Sequence, residues 1–218
     1  RVEENVPKFY EKHIERLSKS ADFFGISCDS DYLEEIVQKE INHARINKHE
    51  IFRLRINLSP KGSFSVELQP LKEIEATPKI FWAADLLGKK LSIIDSSDPT
   101  FYHKTTNRNI YDLAWKEAEK RGGFDGIFVN EKGEVTEGGR SNILIKNGDN
   151  WKTPPLNSGL LPGIMRATLL EDQNMNLYEV PLTPRDIISA ESVYVCNSLR
   201  GLVKVDSTNL NTSIGMLE

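Results

Sequence analysis

Apolar residues recur at helical spacing over 9–25, where Tyr10, Ile14, Leu17, Ala21 and Phe24 fall on one face and Gly25 offers a stop. Asp29-Ser30-Asp31 supplies N-cap candidates for a second helix reaching about Asn47, with Leu33, Ile36, Val37, Ile41 and Ala44 as its buried stripe. The period then shortens to two. The alternating runs IFRLRINL and FSVELQPL flank Ser59-Pro60-Lys61-Gly62, which predicts a hairpin. Helices followed by antiparallel strands predict a small α+β first domain. Residues 72–100 are mixed, with strand-like pieces IFWAADL and LSIIDS broken by Gly88 and Pro99, and a domain boundary is placed here, giving domains 1–90 and 91–218. Beyond it the pattern predicts a helix at about 110–121, strands at GIFVN, EVTEG and SNILIKNG, and a loop from Trp151 to Leu161. A helix starting near Pro162-Gly163 and running to about Gln173 follows, then short strand, helix and strand signals to Val205. The last dozen residues are polar and are expected to fray.

Composition narrows the class. Of 218 residues, 39% are hydrophobic and 28% charged, enough for a real core under a solvated surface. No run approaches the roughly 18 to 20 apolar residues of a membrane helix. A net charge of −4 argues against a nucleic-acid partner. Cys28 and Cys196 form no CxxC pair, and a reduced, cytoplasmic setting is the simplest reading. The histidines (His13, His43, His49, His103) have no metal-ligand spacing with cysteine, so no metal site is expected. Nucleotide-binding glycine loops, HExxH and GxSxG are absent from the sequence.

What remains is polar chemistry at element ends. Tyr102 to Arg108 places Lys104 in a short loop ahead of a helix, where a lysine is ordinarily just solvated. Thr136 to Asn142 places Glu137 beside Gly138 and Gly139, which an ordinary turn also explains. Leu160 to Arg166 puts Pro162-Gly163 at a helix start; this is a plain start, or one whose free N–H groups bind phosphate. Taken together, a lysine for a Schiff base, a carboxylate for a pyridine nitrogen and a helix N-terminus for a phosphate meet the three demands of pyridoxal 5'-phosphate.

The sequence resembles the fold-type-IV pyridoxal-phosphate enzymes (class IV aminotransferases) from about Arg1 to Val205. The likeness rests on His13-Ile14-Glu15-Arg16-Leu17, Glu137 through Asn142, Thr153-Pro154-Pro155 and Leu161-Pro162-Gly163-Ile164. It implies a two-domain, D-amino-acid-aminotransferase-like α/β (α+β) fold, with a small N-terminal α+β domain and a larger C-terminal α/β barrel-like domain. Within the family, His103-Lys104-Thr105-Thr106-Asn107-Arg108 and Cys196 through Leu202 are most similar to aminodeoxychorismate lyase, with an amino-acid aminotransferase as runner-up and a non-catalytic cofactor-binding protein as a remote third. The resemblance implies that Lys104 binds the cofactor covalently and moves the proton, while Glu137 pairs with the pyridinium nitrogen. It further implies that Arg16, the backbone of Ile164 and Met165, and Ser198 hold the phosphate, and that Leu161 packs on the ring. Asn197 and Arg200 fall where substrate lies, and Arg140 is a candidate for binding a substrate carboxylate. Where the family often has a tyrosine, five residues after the lysine, this chain has Asn109. Arg53 and Arg55 share one strand face, toward either site or solvent. The resemblance also implies a small-molecule substrate and a homodimer. It further implies strands preceding Arg1, because Arg1-Val2-Glu3-Glu4 reads as the middle of a strand.

Overall fold

The computed structural model describes residues 1–44, 46, 47, 49–74 and 76–212. The chain divides into two compact units, Arg1–Glu73 and Ile74–Glu218. The division falls after Glu73 and not near residue 90, which corrects the expected boundary. The physical reason is parallel pairing with a distant strand, described below, which sequence periodicity does not register.

The first unit contains β1 (Val2–Glu3), β2 (Val6–Pro7), α1 (Tyr10–Phe23), α2 (Ser30–Ala44), β3 (Ile51–Leu58) and β4 (Phe64–Pro70). Its four strands form an antiparallel sheet in the order β2-β1-β3-β4. Glu4 and Asn5 both take positive φ, 50° and 63°, and close a tight hairpin between β1 and β2. Leu33, Val37 and Ile41 of α2 are buried against the sheet, joined by Tyr10, Ile14 and Leu17 of α1 and by Phe52, Leu54 and Ile56 of β3. Strand alternation therefore turns Arg53 and Arg55 to the opposite face, where Arg53 Nη2 donates to Gln69 Oε1 across the hairpin at 2.5 Å and Arg55 is exposed. Phe24, expected on the buried stripe, lies past the last residue of α1; it is 41% exposed and meets Phe23 edge-on.

The second unit contains β5 (Lys79–Trp82), α3 (Ala83–Leu87), β6 (Ile93–Ile94), α4 (Asn109–Lys120), β7 (Gly123–Asn130), β8 (Val135–Gly138) and β9 (Asn142–Asn147). It continues with β10 (Asn150–Thr153), α5 (Ile164–Glu171), β11 (Leu177–Glu179), α6 (Pro184–Ser189), β12 (Ser192–Asn197) and β13 (Gly201–Val205). The run IFWAADL thus splits at Trp82 into strand and helix, and Trp151 to Thr153, expected in a loop, is a strand paired with β9 and β11. β5 and β6 pair in parallel with the same strand, β7, which is why residues 74–90 belong to this unit. Among the described residues these strands make one nine-stranded mixed sheet. It branches at β9, which is flanked by β10 and β12 and meets β8 at the single pair Glu137–Asn142.

The core of this sheet holds Ile80, Trp82, Ile127, Ile143, Ile145, Val193 and Val195, all buried. The polar tail was expected to fray, yet Thr208–Thr212 forms a short 3-10 turn and Leu210 is fully buried. Trp82 Nε1 donates to the Leu210 carbonyl at 3.0 Å. Burial of one leucine contributes about 1.5–3 kcal/mol toward holding this turn in place. Residues 213–218 of the expected frayed tail lie outside the described residues. No helix among the described residues is long and apolar enough to cross a membrane.

Candidate active site

Glu137 is the next-to-last residue of β8 and is 7% exposed. Its Oε1 accepts the Leu161 N–H at 3.1 Å, and its Oε2 accepts from Asn142 Nδ2 at 3.1 Å. The same Asn142 amide donates to the Leu161 carbonyl at 3.1 Å, so one side chain clamps the carboxylate to the loop before α5. Asn142 is a site residue that was visible only as the last letter of the Glu137–Asn142 block. Its Oδ1 occupies the space a side chain on Gly163 would need. Gly163→Ala is therefore expected to displace Asn142 and to cost about 2–3 kcal/mol, through overpacking and a lost hydrogen bond to a buried acid. Denaturant unfolding checks this, and a loss below about 0.5 kcal/mol contradicts the clamp.

Burial is the largest influence on Glu137 and pushes its pKa up to about 8 from an ordinary 4.5; the Leu161 N–H and the positive charges of Lys104 and Arg108 oppose it, and Asp125 adds to it. Between pH 4.5 and 8 the unfolded chain releases this proton while the folded chain keeps it. The stability contributed by this group is thus full below about 4.5 and is lost as pH rises through 8, at roughly 1.4 kcal/mol per pH unit at most. The free parent protein is expected to weaken relative to Glu137→Gln as pH rises across that window. Urea unfolding of the two proteins at several pH values measures it, and a pH-independent difference contradicts it.

The turn after Glu137 rests on Asp125, a fully buried acid in the otherwise apolar β7. Asp125 Oδ2 accepts from Ser141 Oγ at 2.6 Å and from the Arg140 N–H at 3.1 Å. A Cβ on Gly138 would strike this carboxylate, and one on Gly139 would come within 2.6 Å of the Tyr111 carbonyl. Glycine is needed at both places because β7 and the first turn of α4 pack directly on the chain. From the other side, Glu134 Oε2 accepts from Asn130 Nδ2 and Ser158 Oγ, both at 2.9 Å, which fixes the loop leading to Leu161.

Lys104 is exposed, in the loop before α4. Arg108 anchors that loop: its Nε pairs with Asp112 Oδ1 at 2.8 Å, and its Nη2 donates to the Gly139 carbonyl. The lysine loop is thereby tied to the turn carrying Glu137, and the charges of Lys104 and Arg108 both reach its carboxyl. Arg108 is a second residue passed over as a site candidate, although its segment was quoted for the resemblance.

α5 begins at Ile164 after Gly163, with no side-chain cap. The N–H groups of its first turn, including those of Ile164 and Met165, have no acceptor within the helix. β12 pairs with β9 so that Cys196 faces Asn142, and the following turn with Ser198 and Arg200 leaves the sheet at the Glu137 end. Asn197 builds that turn: its Oδ1 accepts the N–H groups of Leu199 at 3.0 Å and Arg200 at 2.8 Å, and its Nδ2 donates to the Arg140 carbonyl at 3.1 Å. These bonds give Asn197 a structural task in that turn. Arg140 is likewise engaged within the chain. Its Nη2 donates to the Phe124 carbonyl at 2.6 Å, and its guanidinium lies 4.3 Å and 4.8 Å from the ring centres of Phe124 and Trp115. Two aromatic faces and a carbonyl hold this cation, and its Nε is buried with no hydrogen-bond partner. Arg16 lies half-buried on α1 of the first unit.

Lys104, Glu137, Leu161, Ile164, Met165, Ser198 and Arg200 therefore belong to one end of the second unit's sheet. An amine, a buried carboxylate and unspent helix N–H groups suit a ligand with a reactive carbonyl, a basic ring nitrogen and a phosphate. The Tyr111 hydroxyl is also buried there without a hydrogen-bond partner. Among the described residues no three histidine, cysteine or acidic side chains group to hold a metal.

Comparison with known proteins gives the family. A Schizosaccharomyces pombe protein named "Putative aminodeoxychorismate lyase" is 29% identical over 195 residues, covering 88% of this chain and 80% of its own. A Methanocaldococcus jannaschii "Putative branched-chain-amino-acid aminotransferase" is 26% identical, covering 94% and 75%. Among solved structures, a "Putative amino-acid aminotransferase" from Mesorhizobium loti matches with a TM-score of 0.80 at 28% identity, covering 91% of each chain. The model of the family described as amino-transferase class IV matches residues 1–208, and the chain belongs to that family.

Proposed function

We propose that this protein is a pyridoxal-phosphate-dependent 4-amino-4-deoxychorismate lyase, releasing p-aminobenzoate and pyruvate. The observation that carries the cofactor reading is the joining of the Lys104 loop to the Glu137 turn through Arg108 and the Gly139 carbonyl. The choice of lyase is supported by the Lys104–Arg108 segment and by the Schizosaccharomyces pombe relative. When bound, pyridoxal phosphate supplies an aldehyde that captures the substrate amine and a ring that accepts electron density from the carbon bearing it.

Within this reading each residue has a definite task. Lys104 Nζ holds the cofactor before substrate arrives and, once released, takes the proton from the amine-bearing carbon. Glu137 becomes ionised when it faces a ring cation, because the opposite charge offsets the burial that otherwise keeps it protonated. The N–H groups of Ile164 and Met165, with Ser198, hold the phosphate, and Leu161 fixes both the carboxylate and the chain beside the ring. As the proton leaves, the bond from the ring carbon to the enolpyruvyl oxygen breaks with its electron pair on oxygen. The enolate would take that proton back from Lys104 Nζ at its terminal carbon to become pyruvate, and aromatisation drives the step. Arg200 is placed in the Ser198 turn, where it suits a substrate carboxylate. A homodimer belongs to the same proposal.

An amino-acid aminotransferase is the second reading, favoured by the Methanocaldococcus jannaschii relative and the Mesorhizobium loti structure. One assay separates the two. The expected result is p-aminobenzoate and pyruvate in equal amounts from 4-amino-4-deoxychorismate. Amino-group exchange between amino acids and keto acids, with no p-aminobenzoate formed, contradicts the lyase.

A further inference from the structure

The geometry points to Tyr111 as a positioning residue whose hydroxyl is the reserve hydrogen-bond donor for the ionised Glu137 carboxylate. The inference rests on the cofactor reading above only for its purpose, not for its test. Tyr111 lies in the first turn of α4 and is 7% exposed. Its ring is fixed by Phe128 at 4.7 Å and by Phe101 at 6.1 Å between centroids, and the Arg108 guanidinium sits 5.6 Å from its centre. The backbone at Tyr111 abuts Gly139, two residues beyond Glu137, so closely that no side chain fits there. The hydroxyl has no hydrogen-bond partner. A buried O–H left unpaired costs about 1–3 kcal/mol, so an orphan beside an ionisable acid has a physical reason to be sought.

The reason lies in the two charge states of Glu137. In the free protein the acid is held mostly protonated near neutral pH, and its two oxygens are occupied by the Leu161 N–H and Asn142. A carboxylate accepts more bonds than those two, whereas a protonated acid accepts fewer. Tyr111 is raised well above its ordinary value first by burial, then by the nearby Glu137 charge with Arg108 opposing, and last by a hydrogen-bonding contribution from Glu137 that falls short of a formed bond, so it stays a neutral donor throughout. The charged groups acting on this pair are Lys104 and Arg108 from the chain before α4 and Asp125 from β7. Lys104 and Arg108 favour the ionised acid and Asp125 opposes it. A donor spent on the carboxylate alone lowers its proton affinity and leaves the shared proton on a ring nitrogen opposite it. The electron sink is strongest in that state.

The test is the proton titration of Glu137 in the cofactor-free protein, followed by the infrared carbonyl band of its protonated acid. That band is assigned by its absence in Glu137→Gln. Tyr111→Phe removes an unpartnered hydroxyl, so the free fold is expected to keep its stability. The Glu137 midpoint is expected to rise by about one pH unit, a roughly tenfold gain in proton affinity. An unchanged midpoint in folded Tyr111→Phe overturns the inference. 3,5-Difluorotyrosine at position 111, a stronger donor of the same shape, is expected to lower the midpoint, and a rise or no change overturns the inference equally, even if Tyr111→Phe fails to fold. Neither measurement needs cofactor or substrate. Failure of pyridoxal phosphate to bind would defeat the functional reading and leave this titration standing.

Discussion

Replacing Lys104 with alanine is expected to lower turnover by at least roughly 10³-fold while leaving the fold intact. The side chain is exposed and lies in a loop, where truncation ordinarily costs less than about 0.5 kcal/mol. The loop itself is held by Arg108 through Asp112 and the Gly139 carbonyl, neither of which Lys104 supplies. Loss of activity with an unchanged unfolding midpoint therefore isolates chemistry from folding. Lys104→Arg sharpens the result. It keeps a positive charge near Glu137, yet guanidinium stays protonated and neither bonds to an aldehyde nor accepts a proton. The arginine variant is expected to be as inactive as the alanine one. Recovery above a tenth of parental turnover in Lys104→Arg would show that only the charge matters.

Glu137→Gln carries the second large effect, a fall of roughly 10²–10³-fold in turnover with the protein still folded. Glutamine keeps the shape and a carbonyl oxygen for the Leu161 N–H, but it carries no charge to face a ring cation. The change also reaches binding. A ligand that binds only the folded state stabilises it in proportion to its affinity. Added pyridoxal phosphate is expected to raise the parent's unfolding temperature and to raise that of the variant less. Equal thermal shifts together with near-parental turnover would contradict the role given to the buried carboxylate.

The particular residues show how far the sequence carried. Lys104 and Glu137 stood out because no helix stripe or strand alternation required a charge there, and the structure places both at the same end of one sheet. Asp125 was legible on the same ground, a lone acid inside the apolar run of β7, yet it was passed over. The surroundings of Arg140 were not legible, because Trp115 and Phe124 belong to α4 and β7 and only tertiary packing brings them against it. The turn-building bonds of Asn197 were hidden similarly, since the need for them is visible only once the turn exists. The boundary near residue 90 failed because β5 and β6 find their partner strand some 40 residues away, a pairing that alternation within a short window cannot encode. β10 was hidden for a related reason: prolines follow directly after Thr153, and its three-residue pairing with β11 is parallel and non-local.

The central claim is that Lys104 is the covalent anchor of pyridoxal phosphate in a site completed by Glu137. Borohydride reduction of the protein loaded with pyridoxal phosphate, followed by proteolysis and mass spectrometry of the peptides, tests it most directly. The expected result is one phosphopyridoxyl group per chain, on Lys104, and none on the Lys104→Ala protein. A modification confined to another lysine, or no modification of a folded and loaded protein, would contradict the account.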